Sequence, residues 1–330
     1  MAEGTITRVF ITIDTEYSSG LYTGPGAEDR AVNYARSIAC VTPEGPAGIT
    51  HKLELLQAHG QKAVFFVDPM PALVWGVAAI EDIVGPILAA GQDVQLHCHT
   101  EWLALAGSAN PLASGRTGHN LADFRFEEQC AILDYARTTL MAAGAPAPVA
   151  FRAGNYGAND DTLRALASLG IGHDTSHCPA LPGGACRISL GPEARDPVAH
   201  MGVIEVPVGS IGTLRGGQRH AQITALTLAE MLAAIAHARQ SGRESFTLVS
   251  HSFELINRRK LAVNRIVRRR FTQLVKALAA MPGVTTGTYA EAPPQPSAAL
   301  PPSHVLPASA WRTGQRMAEQ FVSNTLYGAL

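Results

Sequence analysis

Asp93-Val-Gln-Leu-His97-Cys-His99-Thr-Glu101-Trp102 decides how this chain is read. Its opening residues have the pattern of a short strand. That strand runs out into two imidazoles and a carboxylate within five residues, a compact set of candidate ligands for a divalent metal. Other apolar runs end in the same way. Val9-Phe-Ile-Thr-Ile13 leads into Asp14 and Glu16, a run at 148–153 carries Arg152, and Phe246-Thr-Leu-Val-Ser250 leads into His251. Polar, chemically capable side chains at the carboxyl ends of several strands are the layout of an α/β-barrel active site. Cys98 sits between the two histidines, and alternation along a strand points it to the opposite face.

Working outward, eight runs rich in Val, Ile, Phe and Thr read as strands: 8–14, 62–67, 93–97, 148–153, 171–175, 203–208, 245–250 and 284–289. Segments with helical periodicity lie between many of them, at 49–59, 79–90, 126–143, 160–169, 226–241 and 264–281. A glycine follows each helical run, as at Gly60 and Gly91, where a C-cap is expected. Strand–helix alternation on this scale predicts an α/β protein with a mainly parallel, helix-covered sheet, open or closed into a barrel. Three stretches break the alternation and are expected to be long loops: 17–48, 104–122 and 177–202. All three leave the end of the sheet that carries the candidate ligands, so they are expected to wall a cleft. A single barrel-like domain is expected across residues 5–292. Residues 293–330 are expected to form a Pro-rich linker and then an amphipathic helix near Trp311–Leu326, docked on the domain or on a second subunit of a homo-oligomer.

Composition excludes several classes of function. The 330 residues are 46% hydrophobic and 16% charged, with a formal net charge of −1. That balance fits a well-buried globular protein and gives no overall pull towards nucleic acid. No apolar run reaches the length of a membrane span. The N-terminal residues lack the basic-then-apolar pattern of a secretory signal. Five widely spaced cysteines (Cys40, Cys98, Cys130, Cys178, Cys186) form no Cys-x-x-Cys pair. Reduced thiols and a cytoplasmic location are the expectation.

In motif order the chain resembles the NodB-type polysaccharide deacetylases, a metal-dependent carbohydrate esterase family with a distorted β/α barrel. The resemblance runs from about residue 8 to 290 and fits a divergent branch. Where the family's first strand ends in Thr-Phe-Asp-Asp-Gly, this one has Thr12-Ile-Asp14-Thr-Glu16. The resemblance implies that Asp14 is the catalytic base; the family's metal-binding Asp falls on Thr15, and Glu16 is its natural substitute. His97 matches the first histidine ligand of the family. Glu101 occupies the place of the second, four residues on, and His99 is an additional histidine. The implied shell is therefore Glu16, His97 and either Glu101 or His99, with Glu101 favoured by position and zinc the expected ion. Phe151-Arg152-Ala-Gly-Asn155-Tyr156 matches Arg-x-Pro-Tyr loosely, implying that Arg152 orients the base and that backbone donors near Tyr156 meet the oxyanion. Asp174-Thr-Ser176 resembles a groove-lining motif, and Leu248-Val-Ser-His251 resembles Leu-x-His, whose histidine is the general acid.

The chemistery of these residues closes on its own terms. A divalent ion held by nitrogen and oxygen ligands activates water and polarises an amide carbonyl. Asp14 would accept the water's proton and His251 would protonate the leaving amine. Arg152 would hold Asp14 through a charge-assisted pair, and Trp102 is a candidate platform for a sugar ring. Arg258-Arg-Lys260, Arg265 and Arg268-Arg-Arg270 follow His251 and read either as a solvated helix face or as a basic rim for an anionic substrate. The reaction expected is removal of an acyl group, N-acetyl first among them, from a sugar or glycan. Two other readings share the scaffold: a metal-free cyclic-amide hydrolase of the allantoinase type, suggested by Thr15 and Glu101, and a carbohydrate-binding protein without catalysis.

Overall fold

Alternation in the first strand, Thr7–Thr15, sets the two faces of the sheet. Val9, Ile11 and Ile13 join the large apolar core beneath the helices, while Phe10 joins a small inner cluster with Phe66, Val206 and Tyr289. Asp14 has the parity of Phe10 and so belongs to the inner face. The computed structural model describes residues 6–296 and 305–327.

The main sheet runs in the order Ser245–His251, Thr7–Thr15, Val64–Val67, Asp93–Cys98, Ala150–Ala153, His173–Asp174, Val203–Glu205, Val198–His200. Val284–Thr286 adds a short parallel pairing to the start of Thr7–Thr15. All pairings are parallel except the last, between Val198–His200 and Val203–Glu205. Beyond that edge the chain curls back: Gly209 donates to the Thr247 carbonyl at 3.0 Å, and Ile223 donates to that of Val249 at 2.9 Å. The result is the expected distorted β/α barrel, a curled parallel sheet closed on one side by irregular backbone.

Each of the eight predicted strand runs contains a strand of this sheet, and each of the six helical runs contains a helix. Gly60 and Gly91 take positive φ (62° and 67°) just past their helices, a conformation that carries no steric cost for glycine. Two of the loop expectations need correction. Residues 17–48 contain a helix, Ala27–Ser37, whose buried side chains are Asn33 and Ser37, so it has no apolar stripe to announce it. Residues 177–202 end in the antiparallel strand Val198–His200.

The C-terminal helix Ala310–Tyr327 docks on the barrel through polar contacts. Arg316 Nε meets Glu230 Oε1 at 3.0 Å, both side chains buried. Arg270 pairs with Glu319 at 2.8 Å, and Asn264 Nδ2 donates to Ser323 Oγ at 3.0 Å. Because Arg270 is buried in this contact, the arginines 268–270 do not form one solvated or substrate-facing row. Of the Pro-rich stretch 293–307, residues 297–304 lie outside the described residues. Breaking a buried ion pair by removing one partner leaves the other charge unpaired, at a cost of roughly 3–5 kcal/mol. Arg316→Ala should therefore lower stability to denaturant by that order and expose the C-terminal helix to proteolysis; an unchanged midpoint and cleavage pattern would show that the pair does not hold the helix.

Candidate active site

The carboxyl ends of two pairs of neighbouring strands, with Val64–Val67 between the pairs, bring the site together. The register pairs Asp14 with His251 and His97 with Arg152. All four belong to the inner face of the curled sheet, so their side chains converge at one end of it.

Two charged groups form the base of the site. Arg152 has no exposed surface, and its guanidinium lies over the Phe66 ring, 4.6 Å from the centroid. Its Nη1 donates to Asp14 Oδ1 at 2.6 Å, and its Nε donates to the Thr175 carbonyl at 3.3 Å. The second oxygen of Asp14 is 3.8 Å from His251 Nε2, too long for a hydrogen bond. On its other side His251 Nδ1 meets Glu254 Oε1 at 3.1 Å. Burial lowers the His251 pKa, but the hydrogen bond and charge of Glu254, with Asp14 and Glu16 behind it, outweigh burial and raise it to about 9. His251 is therefore an imidazolium at neutral pH in the free protein.

The second group is Glu16, His97 and His99. Glu16 Oε2 lies 3.1 Å from His97 Nε2 and 2.6 Å from His99 Nε2. The opposite nitrogen of each ring already has a partner that can only accept. His97 Nδ1 faces the Arg152 carbonyl at 2.7 Å, and His99 Nδ1 faces Glu101 Oε2 at 3.1 Å. Nδ1 then donates in both rings, and burial alone would lower the His99 pKa, but the charges and hydrogen bonds of Glu16 and Glu101, with Asp68 behind them, raise it well above the usual imidazole value. A bound cation would take the place of the Nε2 protons between these rings and the carboxylate. Burial alone would raise the Glu16 pKa, but His99 and His97 hold it well below the usual carboxylate range. Two imidazole nitrogens and one carboxylate oxygen mutually within 4.8 Å suit a divalent metal such as zinc.

Of the two candidates left open for the third ligand, His99 reaches the cluster. Glu101 stands behind it, binding His99 Nδ1 and accepting from Asn155 Nδ2 at 2.9 Å. Glycine at 154 makes this possible, since a Cβ there would lie 2.7 Å from His99 Nδ1. Cys98 points the other way, into the outer core, as alternation implies. Asn155 and Tyr156 have successive left-handed backbone conformations (φ 56° and 57°), strain that persists only where the surroundings enforce it.

Two sequence-predicted contacts have fully buried side chains. Trp102 borders the smaller cavity of the site, with its side chain fully buried against Trp75 and Tyr22. Asp174 is also fully buried; it accepts from Ser176 and lies beside the buried Glu205, burial raising both pKa values. The Tyr156 ring packs against Cys178, Val208 and Val249, and its hydroxyl is buried without a hydrogen-bond partner among the described residues.

Three further residues join the site. Glu254 backs His251, and Lys52 Nζ donates from below to Ser250 Oγ at 2.8 Å and to the His251 carbonyl. Asp68 follows the strand Val64–Val67 at the level of Glu16 and His97, accepting from the His99 backbone N–H at 3.3 Å. Its Oδ2 is buried with no partner among the described residues, and burial raises its pKa to about 6. An unpaired buried carboxylate oxygen beside two imidazoles adds to the demand for positive charge there.

The site opens on two adjoining cavities. One, of about 660 Å³, is lined by Gln222, His251, Glu254, Arg258 and Arg259 among others. The second, of about 160 Å³, is lined by Glu16, His99 and Glu101. Both share Phe253 and Arg258, whose guanidinium lies 4.3 Å from the Phe253 ring centroid.

No family model matches the sequence, and no curated protein matches it. Among solved structures the chain is similar to a Mycobacterium smegmatis protein assigned as a polysaccharide deacetylase. The TM-score is 0.57 at 17% identity, covering 88% of this chain and 90% of that one. It is also similar to the 4-alpha-glucanotransferase of Thermococcus litoralis, with TM-score 0.51 at 10% identity over 87% of this chain and 40% of that one. The chain has the NodB-type deacetylase fold. The glucanotransferase shows that such likeness carries fold and not activity.

The geometry makes a direct expectation for zinc titration of the purified protein. His97→Ala and His99→Ala should each abolish stoichiometric binding. Glu101→Gln, which alters only the group behind His99, should weaken it about 10- to 100-fold. Cys98→Ala should leave it unchanged. Retained affinity in His99→Ala together with loss in Glu101→Gln would exchange the two roles.

Proposed function

We propose that the protein is a metal-dependent amide hydrolase that removes an acyl group, N-acetyl in the simplest case, from a sugar or glycan. The observation that carries this reading is the pairing of two oppositely charged groups at the cleft floor, each anchored from behind and beside a ready cation-binding cluster. Asp14 is held by Arg152, and His251 by Glu254. A binding protein needs no such acid–base pair.

Glu16, His97 and His99 would hold the metal, with zinc favoured by the mixed nitrogen and oxygen donors. Bound there, the ion supplies Lewis acidity to a carbonyl and to water. Asp14 takes the proton of the attacking water at Oδ2, the oxygen that Arg152 leaves free. His251 gives its Nε2 proton to the departing amine. The backbone at Asn155 and Tyr156 is positioned to donate to the developing oxyanion. Phe253 and Arg258 line both cavities and are suited to the sugar ring and to an anionic substituent on it. The barrel at 5–292 would be the catalytic unit. Five free cysteines fit a reducing, cytoplasmic setting.

Asp14→Asn and His251→Ala should each lower kcat on an N-acetylated oligosaccharide by about 10²- to 10⁴-fold, with far-UV circular dichroism unchanged. Near-normal turnover in Asp14→Asn would reject the assignment of the base. The pH profile tests the acid. His251 must be protonated to act, so kcat/KM should hold below about pH 9 and fall as pH rises through that value. Glu254→Gln removes the strongest group raising that pKa and should shift the alkaline limb to lower pH. An unmoved limb would show that another group limits the rate.

A further inference from the structure

The helix Ala310–Tyr327 is amphipathic, and it turns its polar side to the protein. Arg316 and Ser323 are buried, and Glu319 and the Tyr327 carbonyl also bond to the barrel. Trp311, Met317, Phe321, Val322 and Leu326 face outward, 75, 63, 72, 45 and 60% exposed. Five of the twelve exposed large apolar side chains among the described residues therefore lie on this one helix. A surface helix ordinarily buries such a face, so this one is built to meet an apolar partner.

The charges around the stripe identify that partner. Arg312 stands at its start. At its other end Asn257 Nδ2 donates to the Tyr327 carbonyl at 2.6 Å, and Arg258, Arg259 and Lys260 follow Asn257 in the chain, the last two exposed. The helix has a single acid, Glu319, which is engaged with Arg270 on the inward side. A second copy of this helix laid on the first would bring cations to both ends of the seam with no acid to meet them. An anionic lipid surface supplies apolar depth for the stripe and negative charge for its ends. We propose that the outward face of this helix, with Arg259 and Lys260, seats the protein on an anionic bilayer. The seat is interfacial: no helix among the described residues is long and apolar enough to cross a membrane. Arg258 and Arg259 also line the cavity at His251, so docking would bring the cleft mouth to headgroup level. The membrane seat stands apart from the catalytic reading and is tested without any substrate.

Full-length protein should co-sediment with phosphatidylcholine vesicles that contain phosphatidylglycerol, far more weakly with phosphatidylcholine alone, and less at high salt. The double variant Trp311→Ser/Phe321→Ser should lose tenfold or more in vesicle affinity. Arg259→Gln/Lys260→Gln should lose on the order of tenfold or more, since each cation near the surface is worth about 1 kcal/mol. All four positions are exposed, so unchanged circular dichroism and melting temperature should accompany the loss. Three results would overturn the proposal: no sedimentation with either vesicle, wild-type binding in both variants, or a concentration-dependent dimer without lipid that Trp311→Ser/Phe321→Ser dissolves. The last would assign the stripe to a second copy of the chain.

Discussion

Arg152 ties the two halves of the site together. Its side chain, without exposed surface, grips Asp14, while its carbonyl accepts from His97 Nδ1 and so turns Nε2 towards Glu16. A guanidinium in the barrel interior is tolerable only because every direction is compensated: a carboxylate at one end, the Thr175 carbonyl at the other, and the π-face of Phe66 beneath. The reverse also holds. Asp14 is buried, so its charge depends on Arg152 just as Arg152 depends on Asp14. One residue at the end of a four-residue strand thus fixes the orientation of the proposed base and the tautomer of a proposed metal ligand.

Much of this was legible in the sequence, because it follows from period-two alternation. Once Val9, Ile11 and Ile13 are placed outward, Asp14 has to point inward, and the parallel register carries the rule to His97, Arg152 and His251. Elements without an apolar signature were not legible. The helix Ala27–Ser37 is held by Asn33, which both donates to and accepts from the Ser18 backbone, and a polar anchor of that kind leaves no stripe in the pattern. The strand Val198–His200 is three residues long and partly exposed, too short for alternation to appear.

Site residues divide along the same line. Asp68 carried the signal that found the others, a polar residue directly after the apolar run Val64–Val67, and belongs with them on that ground. Glu254 lies beyond the end of its strand, where only the turn after His251 brings its carboxylate back to the ring; strand periodicity says nothing about it. Trp102 and Asp174 are buried for a different reason. Their neighbours in the chain mark them as cleft residues, but the short turn Thr100–Ala104 rotates Trp102 into an aromatic cluster with Trp75 and Tyr22, and Asp174 is capped by Ser176 and Glu205. Position along the chain placed these residues near the site, and local turns then buried their side chains.

Glu101 shows how the divergent sequence keeps a coherent site. The deacetylase motif that this stretch resembles has a metal ligand at the corresponding position, but here the ring of His99 already faces Glu16. The carboxylate moves one step back, where it fixes the tautomer of His99 and takes up Asn155 on the strained loop. A histidine supported by a carboxylate is a better donor than a histidine alone, because the hydrogen bond at Nδ1 raises the basicity of Nε2. The same device recurs across the cleft, where Glu254 supports His251. There no carboxylate lies within hydrogen-bond distance of Nε2, and the hydrogen bond and charge of Glu254 are what raise the ring's pKa against burial. Two histidines with the same backing thus differ in what faces Nε2: Glu16 at 2.6 Å makes His99 part of a cluster of three possible ligand atoms, and Asp14 at 3.8 Å leaves room for a reacting molecule beside His251.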